Sequence, residues 1–354
     1  MVAYGVAYAL AILIGRLIVL PETGLALFWP AAGVGALWAL VAPRRRELVV
    51  VSVAIWGLSA AGLALTGLPR DAAVVLGLAN VVNSVGTAIG YTWLTARSTA
   101  EPVEWHGGGA APLRRLGDVG RFALAAAVAT TLSGVIGMAG LAVGETPVTG
   151  QTALGWLLRN GAAIVIIAGT GLAMRGHAEV VSRRHLVEAV PVLLASLAVL
   201  WLVFGPGRTI SLSFLPLAVL VWGGLRLPVP LAALQGATTA VVTLALVVVT
   251  SGSPFGDVGD IAGQALTLQA FMMLATLLSL VLSTVQWERD RLVSEAAAVG
   301  LRSRRQAEDL RVITETIPDA LIVMDREGKV LLHNNAARRW LAPSQDDADE
   351  LDAL

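Results

Sequence analysis

Cysteine is absent from the 354 residues, which excludes a disulfide framework, a thiol nucleophile and a cysteine-ligated metal. Lysine is nearly absent too: all 25 basic residues except Lys329 are arginine. Charge of either sign is scarce. Only 14% of residues are charged and 56% are hydrophobic, against roughly 25% charged in a soluble domain, and mean hydropathy is +0.74. Such a chain is an integral membrane protein. The 25 acidic residues cancel the 25 basic ones, and no nucleic-acid partner is expected.

Catalytic motifs are missing as well. The four histidines, His106, His177, His185 and His333, form no HExxH pair or carboxylate cluster, so no metal site is expected. The glycine run at 107–109 lacks a following GK[ST] and reads as linker. With no GGDEF or EAL sequence and no histidine-kinase context, neither a catalytic residue nor a cofactor is expected.

Long apolar runs dominate instead. A crossing helix needs about 20 apolar residues to traverse about 30 Å of hydrocarbon. Ten stretches predict an all-α polytopic bundle: 2–20, 25–42, 48–66, 72–96, 120–144, 151–174, 186–204, 210–226, 228–250 and 263–285. The segments 210–226 and 228–250 also read as one region with a tight hairpin, so the expectation is eight to ten spans. Ten spans put Arg44, Arg45, Arg46, Arg97, Arg114, Arg115, Arg175, Arg183, Arg184, Arg226, Arg289 and Arg291 on one side, and only Arg70 and Arg208 on the other. By the positive-inside bias both termini are expected in the cytoplasm. The first span lacks a basic n-region and is expected to be retained. Two GxxxG patterns, "GTAIG" at 86–90 and "GLAVG" at 140–144, predict close helix packing inside the bundle ahead of a dimer seam.

Polar side chains inside these spans are costly and therefore informative. Counted at 1.5 Å per residue, Arg16, Trp29, Asn80, Asn83, Arg159, Asn160 and Gln269 all fall about 6–16 Å below the expected outer face. Glu22 falls at its rim. Asn80 and Asn83, three apart, are expected on one helix face. These eight residues predict a pocket in the outer half of the bundle for a small molecule, anionic given Arg16 and Arg159. The plainer readings are a buried Arg159–Glu22 ion pair, interhelical hydrogen bonds from the two asparagines, and Trp29 as an interfacial anchor beside the Pro30 kink.

Beyond Val285 hydropathy falls and a charged helix begins. A heptad with a at Leu292, Val299, Gln306 and Ile313 and d at Ala296, Ser303, Leu310 and Ile317 predicts a parallel homodimeric stalk that is weak in its middle. A lone helix lying on the inner leaflet is the alternative. Next, "DALIVMD" predicts a strand, "REGK" a turn at Gly328, "VLLHNN" a second strand, and "NAARRWL" a helix capped by Asn334 or Asn335. This gives membrane domain 1–285, helical linker 286–312 and α+β segment 313–354.

Two resemblances follow. "IPDALIVMDREGKVLLHNNAARRWL" resembles the start of a PAS domain, so 313–354 would be its N-terminal part. "LFWPAAGVGALWALVAPRR" (27–45), "GLANVVNSVGTAIGYTWL" (77–94), "RFALAAAVATTLSGVIGMAGL" (121–141), "GWLLRNGAAIVIIAGTGLAM" (155–174) and "FLPLAVLVWGGLRL" (214–227) resemble the bacterial membrane-associated sensor domain of the MASE type, first class. Where that family often carries an acid, this chain has Asn160. The resemblance implies a non-enzymatic input region in a bacterial inner membrane. Its stalk and PAS domain would feed a histidine kinase or diguanylate cyclase beyond Leu354. A transporter or channel is the alternative, since broken helices and polar groups at depth suit one; a ligand-free scaffold is a third. Uptake into vesicles separates the second from the first, and tolerance of every polar-to-apolar change in the pocket identifies the third.

Overall fold

The computed structural model describes residues 1–20, 25–42, 44–98, 109–177, 181–206, 212–250 and 260–341. The chain divides into two compact units, Met1–Glu288 and Arg289–Leu354.

The first unit is helical. In order it comprises α1 (Val2–Arg16), α2 (Pro30–Val41), α3 (Arg45–Leu65), α4 (Arg70–Ser98), α5 (Leu116–Val143), α6 (Gly150–Ala163), a π-helical turn (Ile164–Gly169), α7 (Thr170–His177), α8 (Arg183–Phe204), α9 (Leu215–Arg226) and α10 (Val229–Thr250). The first part of α11 (Ile261–Thr316) completes it. Among the described residues seven helical stretches are long and apolar enough to cross a membrane: α3, α4, α5, the continuous Gly150–Arg175, α8, α10 and α11.

Three of the ten expected spans correspond instead to shorter apolar helices, α1, α2 and α9. At 1.5 Å per residue they reach only about 18–22 Å. Proline accounts for two of the shortfalls. A residue before proline is biased out of the α region, and Trp29 adopts φ −119°, ψ 78°, so α2 starts at Pro30. Pro216 likewise sits in the first turn of α9. Leu227 and Pro228 separate α9 from α10, giving two helices in place of one long hairpin region.

Both GxxxG patterns serve one interface, between α4 and α5. A Cβ on Gly86 or Gly90 would stand 3.2 Å from Ala129 or Ala125, and one on Gly140 would stand 2.9 Å from Leu76. The small residues let two backbones approach, and van der Waals contact replaces a hydrophobic drive that lipid cannot supply. Edge-on contact of Tyr91 with Phe122 at 5.9 Å continues this seam. Elsewhere Gln235 of α10 donates to Ser196 Oγ of α8 at 3.0 Å and to the Val219 carbonyl of α9 at 3.1 Å, tying three helices together.

The second unit holds the rest of α11, an antiparallel hairpin of β1 (Ile322–Met324) and β2 (Val330–His333), and α12 (Asn335–Leu341). Its turn has a mechanism. Gly328 takes φ +84°, which glycine tolerates without penalty, and Asp325 Oδ1 accepts from the Glu327 and Lys329 amides. Asn334, not Asn335, caps α12: its Oδ1 accepts from the amide of Ala337, three residues on, at 2.9 Å. Leu292, Val299, Leu310 and Ile313 on α11 are 55–62% exposed, and Ile317 is half-buried.

Candidate functional site

One end of the first unit gathers the C-termini of α1, α3 and α5 and the N-termini of α4 and α6. A cavity of about 30 Å³ lies among them, lined by Arg16, Leu63, Leu68, Leu76, Asn80, Leu141, Trp156 and Arg159 with Leu25, Ala26 and Trp29. The last three come from backbone that is not helical. Val19 and Ala26 form an isolated antiparallel bridge, and the Leu20 amide donates to Leu25 O at 2.8 Å while the Leu27 amide donates to Ile18 O at 2.9 Å. Within a membrane irregular backbone is tolerated only where protein covers it or it lines a cavity, and Leu25, Ala26 and Trp29 are buried and line one. A donor from α11 adds to these bonds: Gln269 Nε2 reaches the Leu27 carbonyl at 2.8 Å.

Two tryptophans shape the cavity. Trp29 donates Nε1 to Asn80 Oδ1 at 3.2 Å, Asn80 Nδ2 donates to Ser59 Oγ at 3.2 Å, and Ser59 shares a hydrogen bond with the Tyr8 hydroxyl at 2.8 Å. Trp156 donates to Ser133 Oγ at 3.1 Å. Each indole lies on a glycine, Trp29 on Gly15 and Trp156 on Gly137, where any Cβ would stand 2.6 Å from the ring. Alanine at either position would displace an indole that lines the cavity.

Between the rings sits Arg159. Its guanidinium carbon is 4.6 Å from the Trp156 ring centre and 5.6 Å from that of Trp29, within cation–π range. The residue is 6% exposed, its Nε is buried without a partner, and among the described residues it makes no ion pair. Arg16, half-buried, reaches the Thr66 carbonyl at 3.4 Å and also leaves its Nε unpaired. No described carboxylate lines the cavity. Among the described residues these two cations thus have ring faces, one amide and the Thr66 carbonyl as their company.

Of the eight residues expected here, the structure brings together Arg16, Trp29, Asn80 and Arg159. Asn83 is not among the lining side chains: Oδ1 accepts from Thr130 of α5 at 3.0 Å. Three residues on a helix differ by about 60° in direction, and α4 is wedged between α2 and α3 on one side and α5 on the other, so the two asparagines face different neighbours. Asn160 folds back to donate to Trp156 O at 2.8 Å, and Gln269 braces the cavity wall from behind. Glu22 lies outside the described residues. Missed by the sequence reading were Trp156, Tyr8, Ser59 and Ser133. Trp156 was findable, being three residues before Arg159 and hence on the same helix face.

A second, larger cavity of about 350 Å³ runs between α5, α6 and α11, walled by Ala126, Ala127, Gly161, Met273 and Leu277 among others. Its polar wall groups are already spent: Thr130 bonds Asn83 and Thr131 bonds the Ala127 carbonyl. Such a space suits an acyl chain and offers no anchor for a polar ligand.

The family model described as MASE1 matches residues 1–289. No curated protein and no solved structure matches the chain.

Proposed function

Since the chain belongs to the MASE1 family, whose members are membrane sensor domains of signalling proteins, we propose that it is the sensory input region of a bacterial inner-membrane receptor. It detects a small molecule at the Arg16–Arg159 cavity and passes the change along α11. One observation carries this reading: Gln269, on the helix that continues to Thr316, holds the Leu27 carbonyl of the segment whose Leu25 and Ala26 line the cavity. A ligand that moves the wall pulls on α11 directly.

Further parts of the proposal have their own support. With the short helices α1, α2 and α9 counted as crossing, the arginine distribution favours both termini in the cytoplasm and the cavity toward the outer face. The apolar seam of exposed Leu292, Val299, Leu310 and Ile313 and half-buried Ile317 favours a homodimeric stalk. The hairpin with its Asp325–Gly328 turn and the Asn334-capped helix suits the start of a PAS domain. A histidine kinase or diguanylate cyclase then receives the signal; the chain itself does no chemistry.

The absence of native cysteine makes the test direct. Single cysteines at Ala296 or Ser303 report stalk pairing by disulfide crosslinking in native membranes. Gln269→Leu is expected to change the crosslinking rate, whereas an unchanged rate with normal protein levels argues against this route. Ligand uptake into vesicles carrying the protein would favour transport instead, a function the broken backbone at the cavity would also serve.

A further inference from the structure

We propose that the cavity takes a small monocarboxylate, its carboxylate seated between the guanidiniums of Arg16 and Arg159 and its apolar part against Leu63, Leu68, Leu76 and Leu141. The inference rests on the sensory reading only for its consequence, not for the binding itself.

Charge comes first. Arg159 is nine-tenths buried, clasped by two indoles, and has no hydrogen bond or ion pair among the described residues. A buried charge without a partner is a costly arrangement, and an anion between the two arginines removes the cost. The lining selects among anions. Besides the two arginines, the polar groups on the wall are Asn80 and the two indoles, whose N–H groups already bond Asn80, Ser59 and Ser133, so the further oxygens of phosphate or sulfate would lie against leucines without donors, at a desolvation cost that a carboxylate with an apolar remainder avoids. Shape then favours carboxylate over halide, because a guanidinium is a planar fork whose two N–H groups match two oxygens. The leucines give the remainder of the ligand an apolar bed. The cavity opens outward past these leucines, so a short alkyl chain can extend from it.

The test uses the intact chain in lipid nanodiscs, with radiolabelled butyrate as probe and acetate, hexanoate, palmitate, chloride and phosphate as competitors. Saturable binding at one site per chain is expected. Hexanoate competes, while chloride and phosphate at equal concentration do not; competition by palmitate from within the disc identifies a bilayer source and its absence an aqueous one. Arg159→Met is expected to weaken binding about 100-fold, as loss of one partner of a buried charge pair does. Arg159→Lys keeps the charge but loses the fork, and weakens it about 10-fold. Asn80→Asp, which supplies an internal carboxylate, should abolish binding in a folded protein.

Absence of saturable butyrate or hexanoate binding to folded wild type overturns the proposal. So does equal competition by chloride or phosphate, or unaltered affinity in folded Arg159→Met. Glu22→Gln gives one more discriminating result: binding that appears only in this variant would make Glu22 the resident counter-ion and end the carboxylate assignment. Butyrate binding without any change in stalk crosslinking would leave the site standing and sink the sensory role.

Discussion

Arg159 in the first unit and Asn334 in the second are both deeply buried polar side chains, 6% and 1% exposed, and they are satisfied in opposite ways. Asn334 uses both ends of its amide. Oδ1 accepts from Leu321 and Ala337 amides, and Nδ2 points to the Thr314, Ile317 and Asp319 carbonyls. It therefore joins the end of α11, the hairpin and α12. Among the described residues Arg159 has two ring faces and no acceptor. A side chain whose hydrogen-bonding capacity is filled by its own chain is doing structural work; one left open at the wall of a cavity is available to something else. Burial and polarity alone do not distinguish the two, and partner accounting does.

The largest effect is expected from breaking the satisfied member. Asn334→Ala strands several backbone groups at once, and a cost of about 4 kcal/mol follows at roughly 1 kcal/mol for each of the bonds its amide can hold at one time. Hydrogen exchange across 320–341 measures it, and protection equal to wild type would refute the hub. Next comes Gln269→Leu, which leaves the Leu27 carbonyl without its donor. Thermal unfolding in nanodiscs should register a loss of about 1–2 kcal/mol, along with the altered stalk crosslinking described above. A smaller effect, of the opposite sign, is expected at the open member. Arg159→Met exchanges a buried cation that has no ion pair among the described residues for an apolar side chain of similar length, and the relief of desolvation outweighs the lost ring contacts by about 1 kcal/mol. A higher melting temperature together with lost ligand binding is the expected pair of results. Destabilisation comparable to Asn334→Ala would mean that Arg159 is structural after all.

How much of this was legible in the sequence depends on the range of the interaction. Helix content, the ten apolar stretches and the hairpin with its Gly328 turn are local properties, and each was readable from a window of residues. The cavity was half readable: Arg16, Trp29, Asn80 and Arg159 share a depth, and depth follows from rise per residue. Direction around the helix axis does not follow, because it requires knowing which neighbour packs where. That is why Asn83 was placed with Asn80, although it bonds Thr130 on α5. Gln269 was assigned to the right neighbourhood for the wrong reason, since its partner is a backbone carbonyl 242 residues away that is free only because the chain breaks between α1 and α2. The break itself was hinted at by Pro30, yet the short lengths of α1 and α2 emerge only when the bridge of Val19 with Ala26 is seen.

The smallest expected effect tests whether partner accounting extends to an ionisable group. Asp260 begins α11 as an N-cap, accepting from the Gly263 amide at 2.8 Å and from Gln151 Nε2 at 3.1 Å. The Gly263 amide foremost, and then Gln151, hold its carboxyl below the ordinary value of 3.8. A carboxylate favoured in the folded state adds stability that is complete above its unfolded value and fades as pH falls through the folded one. Asp260→Asn keeps a capping oxygen but removes the titration. The melting-temperature difference between the two proteins should therefore be constant above about pH 5 and shrink as pH drops below about 4. Because its partners are all within the protein, as for Asn334, the difference should not respond to butyrate. A flat profile would show that the Gly263 and Gln151 contacts do not hold the ionised form, and a butyrate-sensitive one would place Asp260 with the open group at the cavity.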